Sequence, residues 1–247
     1  MRYFITFAYN GTGFHGSQSQ PNGNTVQSEM EAAFATILRT PVALTFAGRT
    51  DAGVHAEQMV AHFDWDQTLP ANLCGRLNNL LPCSIAVHDI QRVRNEAHAR
   101  FDAIARTYYY RITSRKDPFI HINHTRVAPG LDFEAMNKAA QLLLGKQDFS
   151  SFCRVHTDAK TMICDVKKAE WVVENEYEAY FAITADRFLR NMVRAIVGTL
   201  FEIGRGKIQE EDLRTIIAAH NRSKAGHSVP AEGLSLTAIE YPKNLYI

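Results

Sequence analysis

Apolar and polar residues alternate along several short stretches of the chain, and elsewhere apolar residues recur every three or four positions. The stretch from Tyr3 to Tyr9 alternates, so we expect a strand there. The stretch from Asn24 to Arg39 has helical periodicity, with Asn24 and Gln27 placed to form a capping box at its start. The other elements predicted in this half are strands over 42–46, 58–63 and 85–93 and a short helix over 70–80.

The second half of the chain repeats this mixture of patterns. Asp132 is placed to cap a helix over 133–144 that Gly145 ends. Residues 166–173 and 177–184 are typical of the two strands of a β-hairpin. The other predicted elements are a long strand over 101–113, helices over 187–203 and 210–219, and a last strand over 234–241.

Strands and helices mix in both halves without strict alternation, which predicts an α+β fold with helices on one face of each sheet. We expect an N-terminal half over residues 1–103 and a C-terminal half over residues 104–247. No low-complexity segment or long linker separates them. The two halves are therefore expected to pack closely.

Composition excludes several classes of protein. No apolar run approaches the roughly 18 residues of a membrane span, and the N-terminus lacks the apolar core of a secretory signal. We expect a cytoplasmic protein with no membrane association. The four cysteines form no Cys-x-x-Cys pair, so free thiols are expected rather than a zinc site or disulfides.

The net charge is only +1 over 247 residues, but its distribution is uneven. Between Arg92 and Arg126 the chain has eight basic residues and three acids. Such a stretch is compatible with a groove that holds a phosphate backbone, and equally with a solvated face.

Residues 47–56, with the sequence AGRTDAGVHA, carry the most specific chemical signal. Asp51 follows an apolar strand-like run and lies between Gly48 and Gly53, which allow a turn that aims the carboxylate outward. Arg49 lies two positions away, and a nearby guanidinium favours the ionised carboxylate. A polar loop whose Asp bonds to its own backbone is the alternative interpretation.

The segment GTGFHG, residues 11–16, matches the glycine spacing of a dinucleotide-binding loop. That motif requires the last glycine to open a helix. Here Pro21 and the Asn22-Gly23 pair indicate a turn before any helix. A dinucleotide site is therefore not expected.

Two further patterns are candidates for RNA contacts. On the helix predicted from Arg187, the residues Arg187, Arg190 and Arg194 form a basic ridge opposite an apolar stripe that includes Phe188. In the strand predicted over 101–113, Tyr108 and Tyr110 face one side and Tyr109 the other. A solvated face and a core strand are the respective alternatives.

Five blocks in this order resemble the TruA family of tRNA pseudouridine synthases. The blocks are AGRTDAGVHA at 47–56, FDA at 101–103 with Arg106 and Tyr108, DFSSF at 148–152, NMVRAIVG at 191–198 and AEGL at 231–234. The sequence departs from the family at Asn10, where Asp is usual, and at Ser17, where Trp is usual. The resemblance covers nearly the whole chain.

The resemblance implies the pseudouridine synthase fold: two ferredoxin-like-derived halves with mostly antiparallel sheets, flanking helices and an active-site cleft between them. It implies that Asp51 is the catalytic carboxylate and that Arg194 pairs with it. Tyr108 would stack on the target base and Leu234 would form the other side of the pocket. Arg49 would fill the space that the base vacates and hold a phosphate.

The implied activity converts uridine to pseudouridine at tRNA positions 38, 39 and 40 of the anticodon stem-loop, without a guide RNA, in a homodimer. No metal and no small-molecule cofactor is expected. The carboxylate could act as a nucleophile at the ribose or as a base on the 2′ proton, and the sequence leaves both open. The alternatives are a non-catalytic RNA-binding module and a metal-dependent hydrolase that would use histidines such as His121 and His124.

Overall fold

A computed structural model describes residues 1–21, 23–120, 122–154 and 160–247 of the chain. The chain divides into two compact units. The first unit comprises Met1–Ile104 and Ser235–Ile247, and the second comprises Ala105–Leu234. The expected boundary at residue 103 lies within one residue of the observed one at Ile104. The expected C-terminal half, however, included the residues from Ser235 onward, which belong to the first unit.

The first unit contains an open sheet with two helices. Its strands are β1 (Arg2–Tyr9), β2 (Thr45–Phe46), β3 (His55–Asp64), β4 (Ile85–Val93) and β10 (Leu234–Glu240), the last of which starts at the unit boundary. Its helices are α1 (Val26–Leu38) and α2 (Leu73–Leu80). The strand order is β4-β1-β3-β10, with β2 on β3, and all these pairings are antiparallel except the parallel pair of β10 with β3.

The second unit has the same kind of architecture. Its strands are β5 (Ala105–Thr113), β6 (Thr125–Arg126), β7 (Gly145–Asp148), β8 (Ile163–Val173) and β9 (Glu178–Ala185). Its helices are α3 (Phe133–Gln141), α4 (Met192–Gly204) and α5 (Asp212–Ala218). The order β5-β9-β8-β7 is antiparallel throughout, and β6 pairs parallel to β5.

In each unit an asparagine side chain fastens a helix to a strand. The Asn78 amide of α2 donates to the Val87 carbonyl at 2.9 Å and accepts from the Val87 amide at 2.7 Å. The Asn137 amide of α3 bonds to both backbone groups of Trp171 on β8 in the same way, at 3.1 and 2.7 Å. Such paired bonds satisfy strand groups that the sheet leaves open and hold each helix in register.

The predicted start of α1 is displaced by two residues. Thr25, and not Asn24, caps the helix: its side chain accepts from the Ser28 amide at 3.2 Å, and the Thr25 amide donates to the Ser28 hydroxyl at 3.1 Å. The sequence offers two overlapping pairs for a capping box, Asn24 with Gln27 and Thr25 with Ser28. The second pair, with the buried Thr25, forms the cap. The predicted helical periodicity, whose apolar positions begin with Val26, Met30 and Phe34, is confirmed at these three residues, which are fully buried.

The helix predicted from Arg187 begins five residues later, at Met192. Asn191 has φ = 66°, a left-handed conformation that cannot lie inside an α-helix, so a turn over 186–191 precedes the helix. Arg187 and Arg190 lie in that turn, and only Arg194 lies on the helix. The predicted basic ridge along one helix face is therefore wrong.

Other predicted elements differ mainly in their ends. The strand expected over 42–46 is reduced to Thr45–Phe46, and β5 starts at Ala105 rather than at 101. The cap of α3 by Asp132 is confirmed, with the Ala135 amide donating to the carboxylate at 2.9 Å. The hairpin of β8 and β9 and the bounds of β4 are also as expected. Among the described residues, none of the helices is long and apolar enough to cross a membrane.

Buried His62 should make the free energy of unfolding depend on pH. Its Nδ1 accepts from the Ala99 amide at 3.1 Å, and burial, with the nearby Arg2 charge, lowers its pKa to about 4. Between pH 6.5 and pH 4 the unfolded chain binds a proton that the folded chain does not, so stability falls as pH drops through this range. At pH 5 the loss is roughly 2 kcal/mol relative to pH 7.

Urea denaturation of His62→Gln at pH 7 and pH 5 tests this prediction, since glutamine can still accept a hydrogen bond but does not titrate. The loss of stability between these two pH values should be smaller in the variant than in wild type by roughly 2 kcal/mol. The control is His88→Gln, which changes an exposed histidine of β4. Equal pH dependence in wild type and His62→Gln would contradict the prediction.

Candidate active site

Asp51 lies in a tight turn immediately before β3. The Val54 amide donates to the Asp51 carbonyl at 3.1 Å, and Gly53, at the third position of the turn, has φ = +79°. A positive φ at that position is the feature of a type II turn and favours glycine. Asp51 is half-buried, so the turn presents a partly desolvated carboxylate. Gly48 lacks the positive φ of Gly53, and a Cβ there would meet nothing within 4 Å, so its position does not require glycine.

The glycine-rich segment over 10–17 supports this turn. The Gly11 amide donates to His55 Nδ1 at 3.1 Å, and a Cβ on Gly11 would lie 2.0 Å from the Val54 carbonyl oxygen. Gly16 has φ = +97°, and a Cβ there would lie 2.9 Å from the Thr50 oxygen. The two glycines allow the backbone to approach the Asp51 turn closely from both ends. The spacing that resembles a dinucleotide loop thus has a structural explanation.

Arg49 lies in the same unit, two residues before Asp51, and is exposed. The residues between the β2 strand and the turn, including Ala47, are held by the bond from the Ala47 amide to the Val60 carbonyl at 2.8 Å. Arg49 therefore extends from an anchored loop into solvent. An exposed guanidinium on such a loop is suited to contact a phosphate.

Tyr108 lies on β5 opposite Ile183 of β9. Its ring is half-buried and meets the Phe188 ring edge to face, with centroids 5.1 Å apart. The sequence pattern placed Phe188 on the apolar stripe of a helix, but it lies in the segment before α4. Tyr109 is on the other face, stacked on Tyr180 at 4.6 Å.

Arg194 is held by the segment that follows the short helical turn at 222–224. Its Nε donates to the Val229 carbonyl at 2.7 Å, and the Val229 amide donates to the Arg194 carbonyl at 3.2 Å. The side chain is half-buried. Since the Val229 carbonyl fixes one edge of the guanidinium, its Nη groups have a defined direction.

Residues 229–234 connect Arg194 to the tyrosine strand. The buried Tyr110 hydroxyl donates to the Pro230 carbonyl at 3.1 Å, and the Arg111 amide donates to the Gly233 carbonyl at 2.8 Å. A Cβ on Gly233 would lie 2.8 Å from the Arg111 oxygen, so only glycine allows this approach. Leu234, 6% exposed, follows directly. These bonds join the segment that holds Arg194 and ends at Leu234 to β5, the strand that carries Tyr108.

Sequence reasoning missed the residues that hold this segment. Arg222 donates to the Ala225 and Gly226 carbonyls at 3.3 and 3.0 Å and to the Ser228 hydroxyl at 2.9 Å. The Asn191 side-chain amide Nδ2 also donates to that hydroxyl, at 2.5 Å. The Asn191 bond joins residues 37 positions apart, and the Arg222 bonds lie in an irregular segment, so no periodicity of the sequence indicates them. Burial raises the pKa of the Tyr110 phenol well above its usual range, which keeps the phenol neutral as a donor.

No group of three or more His, Cys, Asp or Glu that could hold a metal ion occurs within the parts of the chain that the structure describes. His121, one of the two histidines that lie three positions apart in the sequence, is outside the described residues. The other, His124, has its Nδ1 within hydrogen-bond distance of the Ile120 carbonyl and the Asn123 side chain.

Comparison with known proteins identifies the class. A family model described as tRNA pseudouridine synthase matches residues 139–242, which include β8, β9, α4 and β10. The mixed α+β architecture with mostly antiparallel sheets agrees with the pseudouridine synthase fold. The class that fold and site define is therefore that of the pseudouridine synthases.

Curated relatives match over nearly the full length. The chain is 52% identical to the tRNA pseudouridine synthase A of Parabacteroides distasonis, covering 99% of this chain and 98% of the relative. It is 50% identical to that of Porphyromonas gingivalis, covering 100% and 99%, and 41% identical to that of Brevibacillus brevis, covering 97% and 99%. The chain belongs to the tRNA pseudouridine synthase A family and is an isomerase.

Proposed function

We propose that this chain converts uridine to pseudouridine at positions 38, 39 and 40 in the anticodon stem-loop of tRNA, without a guide RNA, and that Asp51 is the catalytic carboxylate. The observation that carries the proposal is the Asp51 turn, which a separate glycine-rich segment supports at Gly11 and Gly16. A catalytic group must be held in place by the residues around it, and the Asp51 turn has such support.

The reaction is an isomerisation with no net loss or gain of atoms. The bond between ribose C1′ and uracil N1 breaks, the uracil turns while it stays bound, and C5 bonds to C1′; the C5 proton leaves and N1 gains one. Ionised Asp51 could attack C1′ and form a covalent intermediate, or could remove the 2′ proton to give a glycal. Both routes need one unprotonated carboxylate in a fixed place.

In this proposal the second unit holds the base. Tyr108 stacks on the uracil ring and Leu234 provides the opposite apolar wall, as aromatic and aliphatic side chains do for extruded bases. Arg194 supplies the guanidinium that pairs with the Asp51 carboxylate, as the family resemblance implies. The Val229 carbonyl holds that guanidinium from the side, which reduces the entropy lost on binding.

Arg49 contacts the phosphate backbone and compensates for the space that the extruded base leaves. Removing a base from a stem costs a few kcal/mol, so a cation at this place lowers the cost of forming the complex. The working assembly in this proposal is a homodimer, and its location is the cytoplasm. The family resemblance supports both of these statements.

The test is site-resolved detection of pseudouridine after incubating the purified protein with a tRNA transcript. Conversion of uridines 38, 39 and 40 with no added RNA is expected, whereas transcripts with cytidine at these positions should remain unmodified. A non-catalytic RNA-binding module would bind the transcript and leave every uridine unchanged. A metal-dependent hydrolase would cleave its substrate and lose activity with EDTA, so pseudouridine formation that resists EDTA distinguishes the proposal from that alternative.

A further inference from the structure

Thr50, the residue before Asp51, is held at its backbone and at its side chain. Its amide donates to the Ser17 hydroxyl at 2.8 Å, and its carbonyl accepts from the Ser17 amide at 3.2 Å. The Thr50 hydroxyl bonds to the Tyr9 hydroxyl at 2.8 Å. Thr50 is only 8% exposed, so these three bonds replace bonds to water.

Ser17 connects this network to α1. Its side chain is completely buried, at 0% exposure, and its carbonyl accepts from the Gln27 amide in the first turn of the helix at 3.0 Å. The neighbouring Gly16 carbonyl accepts from the Val26 amide at 3.4 Å. Through Ser17, helix α1 therefore helps to hold Thr50 in place, and with it the start of the Asp51 turn.

We propose that Ser17 is a positioning residue for Asp51, acting through its hydrogen bonds to Thr50. This inference rests on the proposed role of Asp51 as the catalytic carboxylate. Ser17 stands where the resembled family usually has Trp. In this chain a buried hydroxyl therefore bonds to Thr50 at a position where a bulky ring is usual. Tyr9 also helps to position Thr50, because its hydroxyl bonds to the Thr50 side-chain hydroxyl.

The kinetic consequence follows from what the two residues touch. Ser17 and Tyr9 bond to Thr50, and their effect on a bound uridine passes through the placement of the next residue. A displacement of a reacting group by about 1 Å can lower the rate by about 10²-fold. Loss of the Ser17 hydroxyl should therefore lower the rate of the chemical step while tRNA binding stays nearly unchanged.

The experiment measures kcat, KM and the melting temperature of Ser17→Ala with a tRNA transcript, and the single-turnover rate with enzyme in excess. We expect kcat and the single-turnover rate to fall by roughly 10- to 100-fold, with KM within about twofold of wild type. Tyr9→Phe, which removes one oxygen atom, should lower kcat by a smaller factor. It also tests the network if Ser17→Ala fails to fold.

The matched control is Ser151→Ala in the second unit. Ser151 is equally buried, at 0% exposure, and its hydroxyl bonds to the Ile216 carbonyl at 2.6 Å and accepts from the Asn221 amide at 2.9 Å. It should lower the melting temperature about as much as Ser17→Ala but leave kcat unchanged.

The inference is overturned if Ser17→Ala has the kcat of wild type, if it raises KM alone, or if Ser151→Ala lowers kcat equally. A wild-type kcat in Tyr9→Phe overturns it if Ser17→Ala does not fold. These results are separable from a failure of the proposed function. Full activity of Asp51→Asn would remove the role of Asp51 itself, whereas an inactive Asp51→Asn with a fully active Ser17→Ala would remove only the role of Ser17.

Discussion

Asp51→Asn is expected to bind tRNA with nearly unchanged affinity and to form pseudouridine at least about 10³-fold more slowly than wild type. Asparagine has almost the same shape, and the turn is held by backbone groups, namely the Asp51 carbonyl with the Val54 amide and the positive φ of Gly53. The fold should therefore persist. What disappears is the negative charge, and with it the nucleophilicity or basicity that one or the other mechanism requires.

The measurements are the single-turnover rate of pseudouridine formation and the dissociation constant for the same transcript. Asp66→Asn is the control, because Asp66 belongs to the same unit, has a 98% exposed side chain and pairs with the N-terminal amine at 3.1 Å. The control should keep wild-type rates. A rate for Asp51→Asn within tenfold of wild type would show that another group carries out the chemistry.

Gly198→Ala is expected to destabilise the second unit by about 3 kcal/mol or more. A Cβ on Gly198 would lie 1.8 Å from the His227 carbonyl oxygen and 2.9 Å from its carbon, so backbone must move to admit one methyl group. Alanine favours a helix interior over glycine by about 1 kcal/mol. A net loss of stability would therefore show that the close contact outweighs the gain in helix propensity.

The backbone that would move in Gly198→Ala is the segment 226–229, which holds the proposed base-binding residue Arg194. The Gly226 amide donates to the Thr199 hydroxyl at 2.9 Å, and the Val229 carbonyl accepts from Arg194. Thermal denaturation should show a melting temperature lower by about 6–12 °C, with weaker activity in the fraction that stays folded. Gly13→Ala, where a Cβ meets nothing within 4 Å, is the control and should melt near wild type. An unchanged melting temperature in Gly198→Ala would contradict the packing of this segment on α4.

Patterns that depend on neighbours in sequence predicted the fold well. Alternation identified β1, β4 and the β8–β9 hairpin, and the cap at Asp132 identified the start of α3. The same reasoning extended α4 back to Arg187, because the amphipathic pattern continues through the turn at 186–191. The left-handed backbone of Asn191 prevents the helix from extending before Met192. The periodicity of a sequence does not indicate the backbone conformation of a single residue.

The candidate site shows the same division. The motif around Asp51 and the later blocks are visible as local sequence, and Tyr108 and Arg194 could be selected from them. The use of Ser17, Tyr9 and Ser228 could not, since their partners Thr50 and Asn191 lie between 33 and 41 positions away along the chain. Ser17 was visible only as a departure from the family.

The sequence by itself indicated the chemical character of this protein: the carboxylate proposed to act, the rings and guanidinium proposed to hold a base, and the approximate positions of most strands and helices. These properties depend on residue type and short spacing, which a linear chain records directly. Tertiary structure alone decided that the glycine-rich segment supports the Asp51 turn, that α4 begins at Met192, and that residues from Ser235 onward pack with the first unit. The reason is physical: close backbone approach and burial arise between segments distant in sequence, and become visible only when the chain has folded.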